Sequence, residues 1–233
     1  MLMINLENPR QEIELAVEAG DLAQLLRISG LLHGHYCPGS AMGVKAAARA
    51  VKELKTRSTG MEETIAIVET NSCFADGVQI VTGCSFGNNA LIYRDYGKMA
   101  FTLARRSGEA VRIAQRPDAL SMEEREPEAM KLFQKVVKER QGTAEDSENL
   151  RSLWIKVAFK MLDIPDEELF SITHLKIEVP AYARIFVNVK CSVCGENIME
   201  PRARFKGNKP VCLNCSGQAY YQLAGDGMAL ISG

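Results

Sequence analysis

Two Cys-x-x-Cys pairs, Cys191/Cys194 and Cys212/Cys215, stand 17 residues apart near the C-terminal end of this 233-residue chain. Four thiolates at that spacing match a closed structural zinc site, and a domain built on one folds with little apolar core of its own. Gly195 suits the tight turn that lets backbone amides approach thiolate sulfur, and Lys209-Pro210-Val211 reads as a short strand leading into the second pair. The spacing therefore predicts a small zinc-ribbon or treble-clef domain over 185–233. With all four sulfurs bound no coordination position stays open, so its zinc is structural. Between Cys191 and Cys215, Arg202, Arg204, Lys206 and Lys209 face only Glu196 and Glu200, a balance of +2. Four thiolates and one Zn²⁺ cancel it, so phosphate neutralisation offers little for nucleic acid and docking onto protein is expected instead.

The remaining three of the seven cysteines lie far upstream, two of them beside other ligand-type residues. His33-Gly34-His35-Tyr36-Cys37-Pro38-Gly39 packs three ligand types into five positions ahead of a helix. In an extended backbone His33, His35 and Cys37 would share one face. Pro38 pushes Cys37 out of the α region and pre-sets a helix start, which places the thiol at a helix N-terminus, where thiolate is favoured. Farther on, Asp76 reads as the cap of a short helix over 77–82 closed by Gly83. Cys73 and Cys84, separated by such a helix, would stand roughly 12–15 Å apart, too far to share one tetrahedral ion. Cys73, following a strand end, is the better partner for His35 and Cys37. Cys84 reads equally as a second thiol at the pocket or as a packed residue.

Apolar periodicity places a helix-turn-helix over 10–32 with its break at Gly20-Asp21, and a buried-face helix over 40–55 whose many alanines permit close packing on another backbone. Thr64 to Thr70 reads as a central strand, and 91–116 as a β-meander with Asp95-Tyr96-Gly97-Lys98 as a hairpin turn. Ser121-x-x-Glu124 is a capping box, Pro127 restarts a helix, 141–148 reads as an exposed connection, and a helix from about 150 stops before Pro165. Residues 172–179 alternate as a strand, with His174 on its solvated side.

The His-Gly-His-x-Cys-Pro-Gly stretch, then Cys73-x-x-Asp76 leading to Gln79 and Thr82-Gly83-Cys84, then Asp95-Tyr96-Gly97-Lys98, resembles the FmdE family of formylmethanofuran dehydrogenase subunits over roughly residues 20–115. The resemblance implies an α+β domain, often followed by a small zinc domain, without a settled reaction. It also implies that Asp95, Tyr96 and Lys98 face the site.

The expected architecture is α+β: helices on a mostly antiparallel sheet over 1–165, a connecting strand and linker over 166–184, and the zinc domain. His35, Cys37 and Cys73 are expected to hold zinc or another transition metal at an open site. His33 would serve as fourth ligand or general base, Asp76 would orient a ligand, and Cys84 is a candidate second thiol. The function expected is a cytoplasmic metal- or thiol-dependent protein of one-carbon or redox metabolism. The contrasting expectation is a regulatory or adaptor module whose zinc domain binds a partner protein or nucleic acid. With 28 basic and 29 acidic residues no whole-molecule field recruits nucleic acid or anionic membrane, and no apolar run is long enough to span one. Residues 1–11 lack a leader pattern. A homodimer is expected from the apolar helices and the resemblance.

Overall fold

A computed structural model describes residues 6–57 and 59–233; the leader reading rests partly on residues 1–5, outside the described residues. The chain divides into one unit ending at Pro180 and a second from Ala181 to Gly233. In the first, helices α1 (Gln11–Ala19) and α2 (Leu22–His33) meet at Gly20, whose φ of 73° closes α1, while Asp21 caps α2 by accepting the Gln24 N–H at 2.8 Å. Helix α3 (Pro38–Leu54) starts at the N-cap Cys37 and buries nearly its whole N-terminal two-thirds. Strand β1 (Thr64–Val68), buried throughout, leads into α4 (Cys73–Thr82), which ends on left-handed Gly83.

The alanine-rich face of α3 packs against α4 more closely than alanine alone would allow. A Cβ on Gly43 would lie 2.1 Å from the Phe74 carbonyl oxygen, and one on Gly77 would lie 2.5 Å from the Val44 nitrogen and 2.6 Å from the Ser40 oxygen. Backbone therefore meets backbone, and the N-terminal ends of the two helices are held side by side. Gly77→Ala gains about 1 kcal/mol of helix propensity but must push two backbones apart. The expected net result is a loss of about 1–3 kcal/mol, read as a lowered melting temperature of the first unit.

Strands β2 (Leu91–Tyr93), β3 (Ala100–Arg105), β4 (Glu109–Gln115) and β5 (Phe170–Lys176) complete a five-stranded sheet of order β2-β1-β3-β4-β5. Only the β1–β2 pair is parallel. The expected hairpin between 91–93 and 99–105 does not form. Instead β2 pairs with β1, and residues 94–98 cross the end of β1, the Arg94 and Lys98 amides donating to the Val68 and Glu69 carbonyls at 2.9 Å each. Polar turn residues thus serve a crossover at the end of the sheet from which Cys73 emerges.

Between β4 and β5 run α5 (Met122–Arg125) under its Ser121/Glu124 capping box, α6 (Pro127–Phe133) with a π-helical turn over 134–138, α7 (Ala144–Leu162) and α8 (Asp166–Leu169). The connection expected over 141–148 is largely the first turn of α7, nucleated by a reciprocal Thr143/Asp146 capping box. The strand expected over 172–179 forms as β5, and because it pairs with β4 along its whole length the first unit runs on past 165. Phe170 and Ile172 reach the core, and His174 stays exposed beside Glu53 at 3.1 Å.

The second unit consists of three short hairpins: β6 (Asn188–Lys190) with β7 (Asn197–Met199), β8 (Arg204–Lys206) with β9 (Lys209–Val211), and β10 (Tyr220–Ala224) with β11 (Gly227–Ile231). A single helical turn, α9 (Leu213–Ser216), follows β9. Among its described residues only Cys191, Ile198 and Val211 form a buried apolar cluster.

Candidate metal centres

In the second unit the β6–β7 hairpin carries Cys191 and Cys194, while Cys212 caps α9 and Cys215 lies within it. All four sulfurs lie within 4.8 Å of one another, a set that a tetrahedral ion with about 2.3 Å sulfur bonds can draw together. Gly195 takes the left-handed turn at φ 79°. The Cys212 amide donates to Cys191 Sγ and the Cys215 amide to Cys212 Sγ, each at 3.3 Å. Amide donors, that of Cys194 foremost, hold the Cys191 thiol down at about 6, which favours the deprotonated form zinc requires. A knuckle on a hairpin and a second pair at the start of a helical turn make this the treble-clef arrangement.

The first unit brings its ligand-type residues together by another route than a shared extended face. His33 is the last residue of α2, Gly34 turns the chain at φ 83°, and Cys37 begins α3 in extended backbone. This turn returns Cys37 Sγ to 3.5 Å from His33 Nε2, and the His35 ring lies 4.3 Å from that of His33, centroid to centroid. Ligand atoms of His33, His35 and Cys37 all fall within 4.8 Å. Cys73, the first residue of α4, is not in that set of three, but it borders Gly39 together with Cys37: a Cβ on Gly39 would lie 3.1 Å from the Cys73 Cβ and 3.9 Å from each of the two sulfurs. Gly39 thus lies against both sulfurs where no side chain would fit freely, and Ser40 bonds Cys37 Sγ with its amide and hydroxyl. Neither residue is of a ligand type, so ligand clustering along the sequence does not point to them.

Asp76 does not cap α4. Ser72 holds that position, and Asp76 lies one turn inside the helix, where its Oδ2 accepts from His33 Nδ1 at 2.8 Å and its Oδ1 accepts from Gln79 Nε2 at 3.2 Å. With Nδ1 on the carboxylate, Nε2 is the nitrogen that faces the Cys37 sulfur. Two ligands of one tetrahedral zinc, an imidazole nitrogen at about 2.0–2.1 Å and a thiolate at about 2.3 Å, stand about 3.6 Å apart. The observed 3.5 Å is close to that separation. The donor set and its carboxylate support fit a metal of zinc type.

Cys84 lies at the other end of α4. It is fully buried, shares a hydrogen bond with the Thr64 hydroxyl at 3.6 Å, and burial pushes its thiol pKa up. It is thus a packed core residue away from the cluster, and the reading of it as a second thiol at the pocket is corrected. Asp95 accepts from the Tyr93 hydroxyl at 2.6 Å and the Lys98 ammonium lies 5.9 Å from the centre of the Tyr96 ring.

The bond from Cys73, with those from Ser40 and the nearby His33, outweighs burial and holds the Cys37 thiol down at about 4; the same bond and burial push Cys73 up. In chelator-treated protein Cys37 is expected to be thiolate at about pH 6, where an ordinary thiol is protonated. Iodoacetamide at that pH should therefore label Cys37 ahead of Cys73 and Cys84, as peptide mass mapping would read. Equal labelling of all three would contradict the asymmetry.

The family model for FmdE, described as molybdenum formylmethanofuran dehydrogenase operon, matches residues 32–171, and the model for the prokaryotic dksA/traR C4-type zinc finger matches residues 184–221. A protein of Archaeoglobus fulgidus described as a probable S-adenosyl-L-methionine-binding protein is 38% identical over 217 residues, which cover 91% of this chain and 57% of that protein. The chain thus spans little more than half of that relative. A crystal structure of an FmdE-like protein of the tungsten formylmethanofuran dehydrogenase type, from Syntrophus aciditrophicus, superposes with a TM-score of 0.54, at 23% identity, over 84% of this chain and 92% of that one. At that identity the likeness concerns the fold.

Proposed function

The chain belongs to the FmdE family and carries a four-cysteine zinc finger over residues 184–221, and from that premise we propose that its first unit is an open metal site serving one-carbon or redox chemistry. The proposed ligands are His33, Cys37 and Cys73, His33 taking the place expected of His35 because its Nε2 faces the Cys37 sulfur at 3.5 Å, and zinc is the metal that best suits one nitrogen and two sulfurs. The observation that carries the reading is the Asp76–His33–Cys37 line, 2.8 Å and 3.5 Å long, in which a carboxylate fixes the tautomer and aims Nε2 at a thiolate. Bound there, the metal supplies a Lewis acid and lowers the pKa of a coordinated water. The chain's own residues do the rest. Gln79 holds Asp76, Asp76 holds His33, and Ser40 holds Cys37. His33 is engaged by Asp76, so the exposed His35 would be the residue that moves a proton there.

The test is metal content in a protein with Cys191, Cys194, Cys212 and Cys215 all changed to Ser. It should retain about one metal per chain and a folded first unit; an empty first unit would overturn the reading. Asp76→Asn, which leaves the shape intact, should weaken retention of that metal against a chelator by about 10–100-fold.

For partners, the proposal is a homodimer and a protein ligand for the zinc unit rather than nucleic acid. The latter is supported by the charge balance of the module and by one face of the β10–β11 hairpin. There Tyr221 pairs with Leu230 and Leu223 with Met228, all four exposed. Binding of the intact protein to its partner should survive raised salt and the combined change of Arg202, Arg204 and Lys206 to Ala; loss under either would favour nucleic acid.

A further inference from the structure

A cavity of about 380 Å³ lies between α1, the C-terminal parts of α3 and α4, and the sheet. It sits at the ends of α3 and α4 away from the thiols, and nothing in the proposed chemistry uses it. Its volume is within the range of small-molecule sites. The floor is aliphatic: Ile13, Val17, Val51, Val81 and Leu103. Its charged lining is Arg10, Lys52, Lys55 and Arg57 against Glu14 and Glu18, and Arg57 pairs with Glu18 at the edge. Glu14 is bonded by Asn8 at 2.9 Å. Among the described residues Lys52 and Lys55 have no carboxylate partner.

Arg10 is the deepest of the cations. Its Nη2 donates to the Ile80 and Val81 carbonyls at 3.0 and 2.8 Å, which are neutral acceptors, and its Nε is buried without a partner among the described residues. An aliphatic floor beneath a surplus of positive charge suits an amphiphile with a negative head.

We propose that this cavity binds a small aliphatic carboxylate, its chain on the Val17–Val51–Leu103 floor and its head among Arg10, Lys52 and Lys55. The experiment is a titration of the full-length metal-loaded protein with octanoate, followed by the methyl resonances of Val17, Val51, Val81 and Leu103. Octanamide, the same size and uncharged, is the control. Octanoate should shift those methyls saturably, and octanamide should bind at least about tenfold more weakly. The double variant Lys52→Gln/Lys55→Gln removes two charges that have no carboxylate partner among the described residues. It should weaken octanoate by about tenfold, as loss of two solvent-exposed charge contacts would, and leave octanamide unchanged. The methyl spectrum itself reports that the variant is folded. Octanamide binding as tightly as octanoate, an unchanged octanoate affinity in the double variant, or unshifted methyls at about 10 mM ligand would each overturn the proposal. None of these outcomes bears on the metal site, whose ligands lie at the opposite ends of the two helices.

Discussion

Cys194→Ser or Cys212→Ser should unfold the second unit completely while the first unit melts as before. The physical reason is the size of the core: Cys191, Ile198 and Val211 are the apolar residues buried there, and one of them is itself a ligand. Three short hairpins and one helical turn cannot repay their conformational entropy from so little burial, so the metal's binding free energy is the folding free energy of the unit. The expected result is loss of amide-exchange protection across residues 188–216, together with loss of about one zinc per chain. A protected unit in either variant would mean that the fold does not rest on the four-cysteine site.

Cys37→Ser should behave in the opposite way. It should lose the first-unit metal while the unit stays folded, because the ligands stand on elements fixed by other contacts. Helix α3 is clamped to α4 at Gly43 and Gly77, and Phe74 meets Phe101 of β3 edge-on with ring centroids 6.1 Å apart. Lys45, buried on α3, reaches Asp166 and the Leu162 carbonyl at 3.0 Å each, tying the helix to the far end of α7. A serine at position 37 keeps the cap geometry, since an N-cap hydroxyl accepts from the Ser40 amide at least as well as sulfur does. Thermal melts and metal content of the single variant would show both halves of the prediction. A first unit that unfolds on this change, beside a second unit untouched by Cys194→Ser, would reverse the assignment of structural and functional sites.

Much of this was legible in the residues because the relevant signals are local. Pro38 after Cys37 fixes a helix start, Gly83 a helix end, and the two Cys-x-x-Cys pairs a metal site, each within a few positions. The helix between Cys73 and Cys84 also keeps those two thiols apart, as its length along the chain requires. What could not be read is what depends on tertiary approach. Asp76 is expected from the sequence to orient a ligand, but which ligand it supports, His33, depends on α2 and α4 lying together, and no spacing along the chain reveals that. The β2 strand looked like half of a hairpin because Asp95-Tyr96-Gly97-Lys98 has turn chemistry, yet the amides of 94 and 98 bond the end of β1. Burial of Cys84 follows from its contact with Thr64 on β1, a pairing equally invisible in the sequence. An extended face would unite His33, His35 and Cys37 by alternation, but the chain brings them together by a turn at the left-handed Gly34.

The central claim is that the His33, Cys37 and Cys73 cluster holds a metal distinct from the zinc of the second unit. A metal-edge anomalous difference map of the crystallised protein tests it most directly. The expected map has one peak among Cys191, Cys194, Cys212 and Cys215 and a second bonded to His33 Nε2 and Cys37 Sγ. A map with the first peak alone, from protein purified without chelator, would contradict the account.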